Sequence, residues 1–162
     1  MRKYGSFTII VLLIVLTDQA TKYCVDTSMA LHQSVPVLEG FFSLTYVRNP
    51  GAAFGLLADI SPIFRYFFFI IVNLVAMGLI LAYIRKAPAE ESGMIKALSL
   101  IMAGAAGNLI DRIRFGEVID FLDVYIGSFH WPAFNVADSA ISIGACLLII
   151  QLFKKDKASR KT

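Results

Sequence analysis

Two carboxylates mark the last third of the chain: Asp120 in Val118-Ile119-Asp120-Phe121, and Asp138 in Phe134-Asn135-Val136-Ala137-Asp138-Ser139. The chain around them is built for lipid. An ionised carboxylate at membrane depth costs several kcal/mol, so a membrane protein that keeps such acids generally uses them. Two acids that meet can hydrolyse a peptide bond: one carboxylate activates water while the other holds a proton. The spacing permits that meeting without requiring it, since a connection of about 17 residues folds its ends together easily. Each acid also has a plainer reading. Asp138 sits near a helix start, where an acid complements the helix dipole and Asn135 can serve as N-cap. Asp120 can be a loop acid like Glu117 and Asp123.

Other polar residues cluster in the same way. Asp18 and Lys22 are spaced as a same-face helix pair; they either neutralise each other or shape a site. Gly104, Asn108 and Arg112 form a stripe with Asp111 beside them. That stripe reads either as helix packing with Asn108 as polar glue, or as a slot in which glycine gives room and Asn and Arg give hydrogen bonds to substrate. Ser139 and Ser142 are candidate nucleophiles with His130 as base, but no Gly-x-Ser-x-Gly elbow is present. His32 and His130 lack metal-ligand spacing, with no HExxH or CxxC. Cys24 and Cys146 are too few for a disulfide framework and read as small apolar residues.

The elements that must position these groups follow from hydropathy. Of 162 residues, 57% are hydrophobic and 17% charged, and mean hydropathy is +0.70, well above a soluble domain. A net charge of +3 with no basic stripe excludes nucleic acid as partner. Crossing about 30 Å of hydrocarbon takes about 20 residues. Four stretches qualify: about residues 5–25, 63–84, 94–113 and 136–153. The basic, apolar N-terminus resembles a secretory signal but lacks a clean cleavage site, so it is expected to be a retained first span. Both termini then share a side with 10 of the 15 Lys and Arg residues, which makes it cytoplasmic. The loops at about 26–61 and 114–135 face outward with both acids. Within the first, Val35 to Leu38 and Phe41 to Val47 read as strands around a Glu39-Gly40 turn, the second with period two; Asn49-Pro50-Gly51 is a further turn. Trp131 and Phe129 suit the membrane interface, and residues 154–162 read as a basic tail on anionic headgroups. The expectation is a single all-α polytopic membrane domain, residues 1–162, with four transmembrane helices, a small outward β-sheet and a short outward helix or loop. A small transporter or channel-like protein with an outward polar site is the alternative. Paired repeats and a polar stripe through the bilayer, which such proteins often carry, are missing.

At these residues the sequence resembles the bacterial lipoprotein signal peptidases (signal peptidase II). The resemblance runs in order through Thr17-Asp18-Gln19-Ala20-Thr21-Lys22, Arg48-Asn49-Pro50-Gly51-Ala52-Ala53-Phe54-Gly55, Gly104-Ala105-Ala106-Gly107-Asn108-Leu109-Ile110-Asp111-Arg112, Gly116-Glu117-Val118-Ile119-Asp120-Phe121 and the Asp138 segment. It implies a membrane aspartic endopeptidase that cuts diacylglyceryl-modified prolipoproteins just before the lipidated lipobox cysteine. It implies Asp120 and Asp138 as the catalytic pair, Asn108 and Arg112 as substrate contacts, and Asn49, Asn135, Asp18 and Lys22 as signature polar positions of the substrate site, in which Gly104 is expected to make room for the signal-peptide helix. It further implies no metal or other cofactor, a place in the bacterial inner membrane, an outward sheet acting as a cradle, and a gating helix after Arg114; a monomer among membrane lipids is the expectation for the assembly.

Overall fold

Each apolar stretch folds as one continuous helix, as backbone in lipid must when no water is present to satisfy its polar groups. The computed structural model of the chain describes residues 2–51, 61–88 and 90–159. The helices are α1 (Arg2–Ser28), α2 (Pro62–Lys86), α3 (Ser92–Phe115) and α4 (Val136–Ser159); the strands are β1 (Ser34–Leu38), β2 (Phe42–Asn49), β3 (Val118–Ile126) and β4 (Phe129–His130). Residues 52–55 of the second resemblance segment and residues 160–162 of the basic tail lie outside the described residues.

The third helix is the axis of the bundle. The buried share of its span is 67%, whereas it is 11% to 17% in the other three. Their outward Leu, Ile and Phe residues, such as Leu13, Phe67 and Ile149, are exposed in the isolated chain and so face lipid. Small residues make the central position possible. A Cβ on Gly104 would stand 2.2 Å from the Ala137 carbonyl oxygen of α4, and one on Gly107 would stand 2.5 Å from Asp18 Oδ2 of α1. Close approach of this kind is how helices gain packing energy in lipid, where no hydrophobic effect drives them together.

The two ends of the bundle differ. At one, Lys3 Nζ donates to the carbonyls of Ile84 (3.1 Å) and Ala87 (2.6 Å), tying the start of α1 to the end of α2. Ile80, Ile84, Met94, Ile95, Leu98 and Met102 make an apolar cluster there. At the other, the strands form one antiparallel sheet in the order β1-β2-β3-β4, and Tyr46, Ile119 and Phe121 pack on Val25 of α1.

Three expectations are corrected. The segment after Arg114 is strand, not helix: Gly116 closes α3 in the left-handed conformation (φ 78°), and Val118–Ile126, rich in β-branched and aromatic residues, pairs with β2. Strict alternation in β2 fails because its register with β3 shifts between Leu44 and Val47. Ser43 and Tyr46 are therefore the buried pair. Finally, α4 does not stop at residue 153 but runs to Ser159, through most of the expected tail.

Candidate active site

The turn from α3 into β3 carries Asp120 to the bundle. Asp111 Oδ2 accepts the Ile119 N–H at 3.1 Å, which anchors the start of β3 against α3. Asp120 then receives Asn49 Nδ2 at 2.9 Å on one oxygen and Asn135 Nδ2 at 2.7 Å on the other. Its side chain is almost fully buried, at 2% exposure. Burial, and next the charge of Asp138, push its carboxyl up to about 7, because both disfavour the ionised form.

Asp138 does two jobs at once. Asn135 is the N-cap of α4: its Oδ1 accepts the Asp138 N–H at 2.9 Å, while Asp138 Oδ2 accepts the Asn135 N–H at 3.3 Å. This reciprocal arrangement is a capping box, so the plainer reading of Asp138 is correct as far as it goes. Its other oxygen, Oδ1, accepts Asn108 Nδ2 at 2.7 Å. Asn135 Nδ2 also reaches Asn108 Oδ1 at 3.2 Å. The two carboxylates thus share a scaffold of two amides, Asn108 and Asn135, contributed by α3 and the α4 cap.

Asn108 can point only one way. Its Oδ1 accepts from Lys22 Nζ (3.0 Å) and from Asn135, so its NH2 is left for Asp138. Lys22 is 1% exposed. Its ammonium lies 2.9 Å from Asp18 Oδ2 and 2.9 Å from Asp111 Oδ2, so its three hydrogens have three acceptors. Asp18 Oδ1 takes the Ala137 N–H at 2.9 Å, holding the α4 start from α1. Gln19 closes the cluster from the side, donating to Asp111 Oδ1 at 3.0 Å.

A cavity of about 670 Å³ opens on one side of this scaffold, lined by Asn49, Asn108, Arg112, Asp120 and Asp138 together with Trp131 to Phe134 and residues of α2 and α4. Arg112 stacks 4.8 Å over the Phe69 ring. It donates to the carbonyls of Asn108 (3.3 Å) and Gly51 (3.4 Å), and among the described residues it forms no ion pair with a carboxylate. Guanidinium capacity therefore remains for a ligand.

Of the nine residues singled out in the sequence, five line the cavity. Asn135, Asp18 and Lys22 lie behind it and position the others. Gly104 stands apart, facing α4 rather than the cavity. Residues spaced by four drift about 40° per step around a helix of 3.6 residues per turn, so Gly104 and Arg112 do not share a face. His130 pairs with Asp123 (2.9 Å) and stacks on Tyr125, and the Ser139 hydroxyl donates to the Asn135 carbonyl at 2.9 Å, so neither completes a serine site. Sequence reasoning passed over Asp111 and Gln19 as members of the buried cluster. It also passed over Asn73, a lone amide in an apolar run. The signal in each case was a polar residue inside a span. Among the described residues no group of three or more His, Cys, Asp or Glu side chains is placed to hold a metal ion.

The backbone matches solved bacterial membrane enzymes. One, determined by the in meso method at 2.3 Å resolution, superposes with a TM-score of 0.84 at 38% identity over 94% of this chain and 90% of that one. A second, at 1.9 Å, gives 0.83 at 36% identity over 93% and 94%. Fold and site together define a polytopic membrane enzyme. The family model for signal peptidase (SPase) II matches residues 10–154, and the chain belongs to that family. Similar relatives include the lipoprotein signal peptidase of Syntrophus aciditrophicus (strain SB), 57% identical over 145 residues and 90% of each chain. That of Geobacter sulfurreducens is 52% identical over 154 residues and 95% of each chain.

Proposed function

We propose that this protein is an aspartic endopeptidase that removes signal peptides from diacylglyceryl-modified prolipoproteins, cutting just before the lipidated cysteine, with Asp120 and Asp138 as its catalytic pair. The observation that carries the reading is the shared amide scaffold, which brings two carboxylates from separate elements onto one cavity. Like charges at close range resist joint ionisation, so the pair holds one proton near neutral pH. Asp120, pushed up to about 7, is able to hold it. The ionised partner takes a proton from water, and that water attacks the scissile carbonyl. The protonated partner hydrogen-bonds the carbonyl oxygen and then protonates the leaving amine. Arg112, Asn108 and Asn49 line the same cavity and are the groups that would meet the peptide.

Sidedness follows from charge. The helix ends opposite the sheet carry Lys3, Arg85, Lys86, Lys155 and Lys157, which supports a cytoplasmic side for them and a dyad near the outer face of the inner membrane. Water then reaches the acids while acyl chains stay in lipid. The protein acts as a monomer surrounded by membrane lipids.

The test is cleavage of a diacylglyceryl-modified prolipoprotein by purified protein, with the products read by mass spectrometry. Wild type is expected to cut before the lipidated cysteine with or without a chelator, and Asp120→Asn and Asp138→Asn are each expected to lose at least about 10³-fold in rate. Chelator-sensitive cleavage, or a variant that keeps near-wild-type rate, overturns the reading.

A further inference from the structure

The cavity does not end at the dyad. It continues along the bundle between α2 and α4, where Val72 and Asn73 on one wall stand with Ile141 and Ser142 on the other. Asn73 lies about 16 Å along α2 from Pro62, and Ser142 about 6 Å along α4 from Asp138, at 1.5 Å per residue. Ser142 is four residues from Asp138 and so lies on the same side of α4. An amide this far into a lipid-crossing helix is costly unless it meets a partner. Asn73 Nδ2 donates to its own helix at the Phe69 carbonyl (2.8 Å). An amide NH2 carries two hydrogens, and this bond uses one. Ser139 has closed its hydroxyl onto the Asn135 carbonyl, whereas Ser142 is exposed on the cavity wall.

We propose that Asn73 and Ser142 form a carbonyl-binding step of the substrate site, each donating one hydrogen bond to a carbonyl oxygen held at membrane depth. The proposal rests on the reading of the protein as a peptidase of diacylglyceryl-modified precursors. Such a substrate brings carbonyls of two kinds. Its two ester carbonyls are acceptors without donors of their own. The last turn of a signal-peptide helix also presents carbonyls that lack intrahelical partners. Away from water, either kind gains from a fixed donor. The step adds specificity to a site whose remaining wall there is apolar.

The experiment measures KM and kcat for wild type, Asn73→Leu and Ser142→Ala on a diacylglyceryl precursor and on the same precursor carrying a dialkyl ether analogue. Each variant is expected to raise KM for the diacylglyceryl precursor about 2- to 10-fold, the range of one lost hydrogen bond, with kcat nearly unchanged. Asn73→Gln and Ser142→Thr, which keep a donor, should recover part of the loss. A KM effect that vanishes on the ether substrate assigns the step to the lipid esters; one that persists assigns it to the peptide carbonyls. Unchanged KM in both variants on both substrates, or a loss confined to kcat, overturns the proposal while wild-type turnover upholds the activity. Absence of wild-type turnover overturns the activity and this step with it.

Discussion

The Asp18–Lys22–Asp111 cluster and the Asp120–Asp138 pair touch the same amide, Asn108, yet handle charge in opposite ways. In the first, one ammonium meets three acceptors at 2.9 to 3.0 Å, and its members are 0% to 1% exposed. In the second, both acids line a cavity, and Asp120 is held in conditions that disfavour its ion. Burying an ionised group is costly in either place. The closed cluster offsets that cost with partners and becomes structure. Among the described residues the open pair has amide donors but no cation in contact, the setting in which the proposed catalytic pair would share a proton. The ion-paired cluster in turn supports the pair that has no cation. Lys22 fixes the orientation of Asn108 toward Asp138, Asp18 holds the start of α4, and Asp111 holds the start of β3.

Lys22→Met is the most severe way to break that contrast. It leaves two buried carboxylates unpaired and frees Asn108 to turn, and should cost about 3–5 kcal/mol of stability, read as a fall in unfolding midpoint in detergent. Gly104→Ala comes next. Its methyl would press on the Ala137 carbonyl at the root of Asp138, for about 1–3 kcal/mol together with a loss of kcat, read by unfolding and turnover.

The pH profile sharpens the same contrast. Since Asp120 titrates near 7, a pair that needs one proton loses it as pH rises through that value. Turnover should then fall about tenfold per unit on the alkaline side, with no matching loss of the folded cluster in a parallel melt. The smallest effect belongs to a third arrangement of charge, the Lys155–Glu91 pair in solvent, whose side chains are 63% and 24% exposed. Glu91→Gln should cost less than about 1 kcal/mol and leave turnover alone.

Much of this was legible in the sequence because lipid makes polar residues conspicuous. Asn108 and Arg112 stood out by type and depth, whereas Asp120 and Asp138 each had a plainer reading and were set apart as a pair by the resemblance; the i,i+4 pair Asp18–Lys22 is as expected for one helix. What closes the cluster was not legible, since Asp111 arrives from a different helix and Gln19 looked like an ordinary neighbour. The Gly104–Asn108–Arg112 stripe misled because it slants around α3: its glycine serves helix packing while its Asn and Arg serve the cavity. After Arg114, the resemblance pointed to a helix where Val118-Ile119 and Val124-Tyr125-Ile126 already favoured strand. The bulge that buries Tyr46 is a matter of register with β3, which no local pattern in β2 contains.

The most direct test compares the two regions in one experiment: turnover of the diacylglyceryl precursor and thermal unfolding, for Asp120→Asn, Asp138→Asn and Lys22→Met. Asp120→Asn and Asp138→Asn are predicted to stay folded, the former with some loss of stability because its NH2 would face the Asn49 or Asn135 donor, with turnover abolished in both. Lys22→Met is predicted to lose stability first. Turnover within about tenfold of wild type in either folded Asn variant would contradict the assignment of chemistry to the open pair.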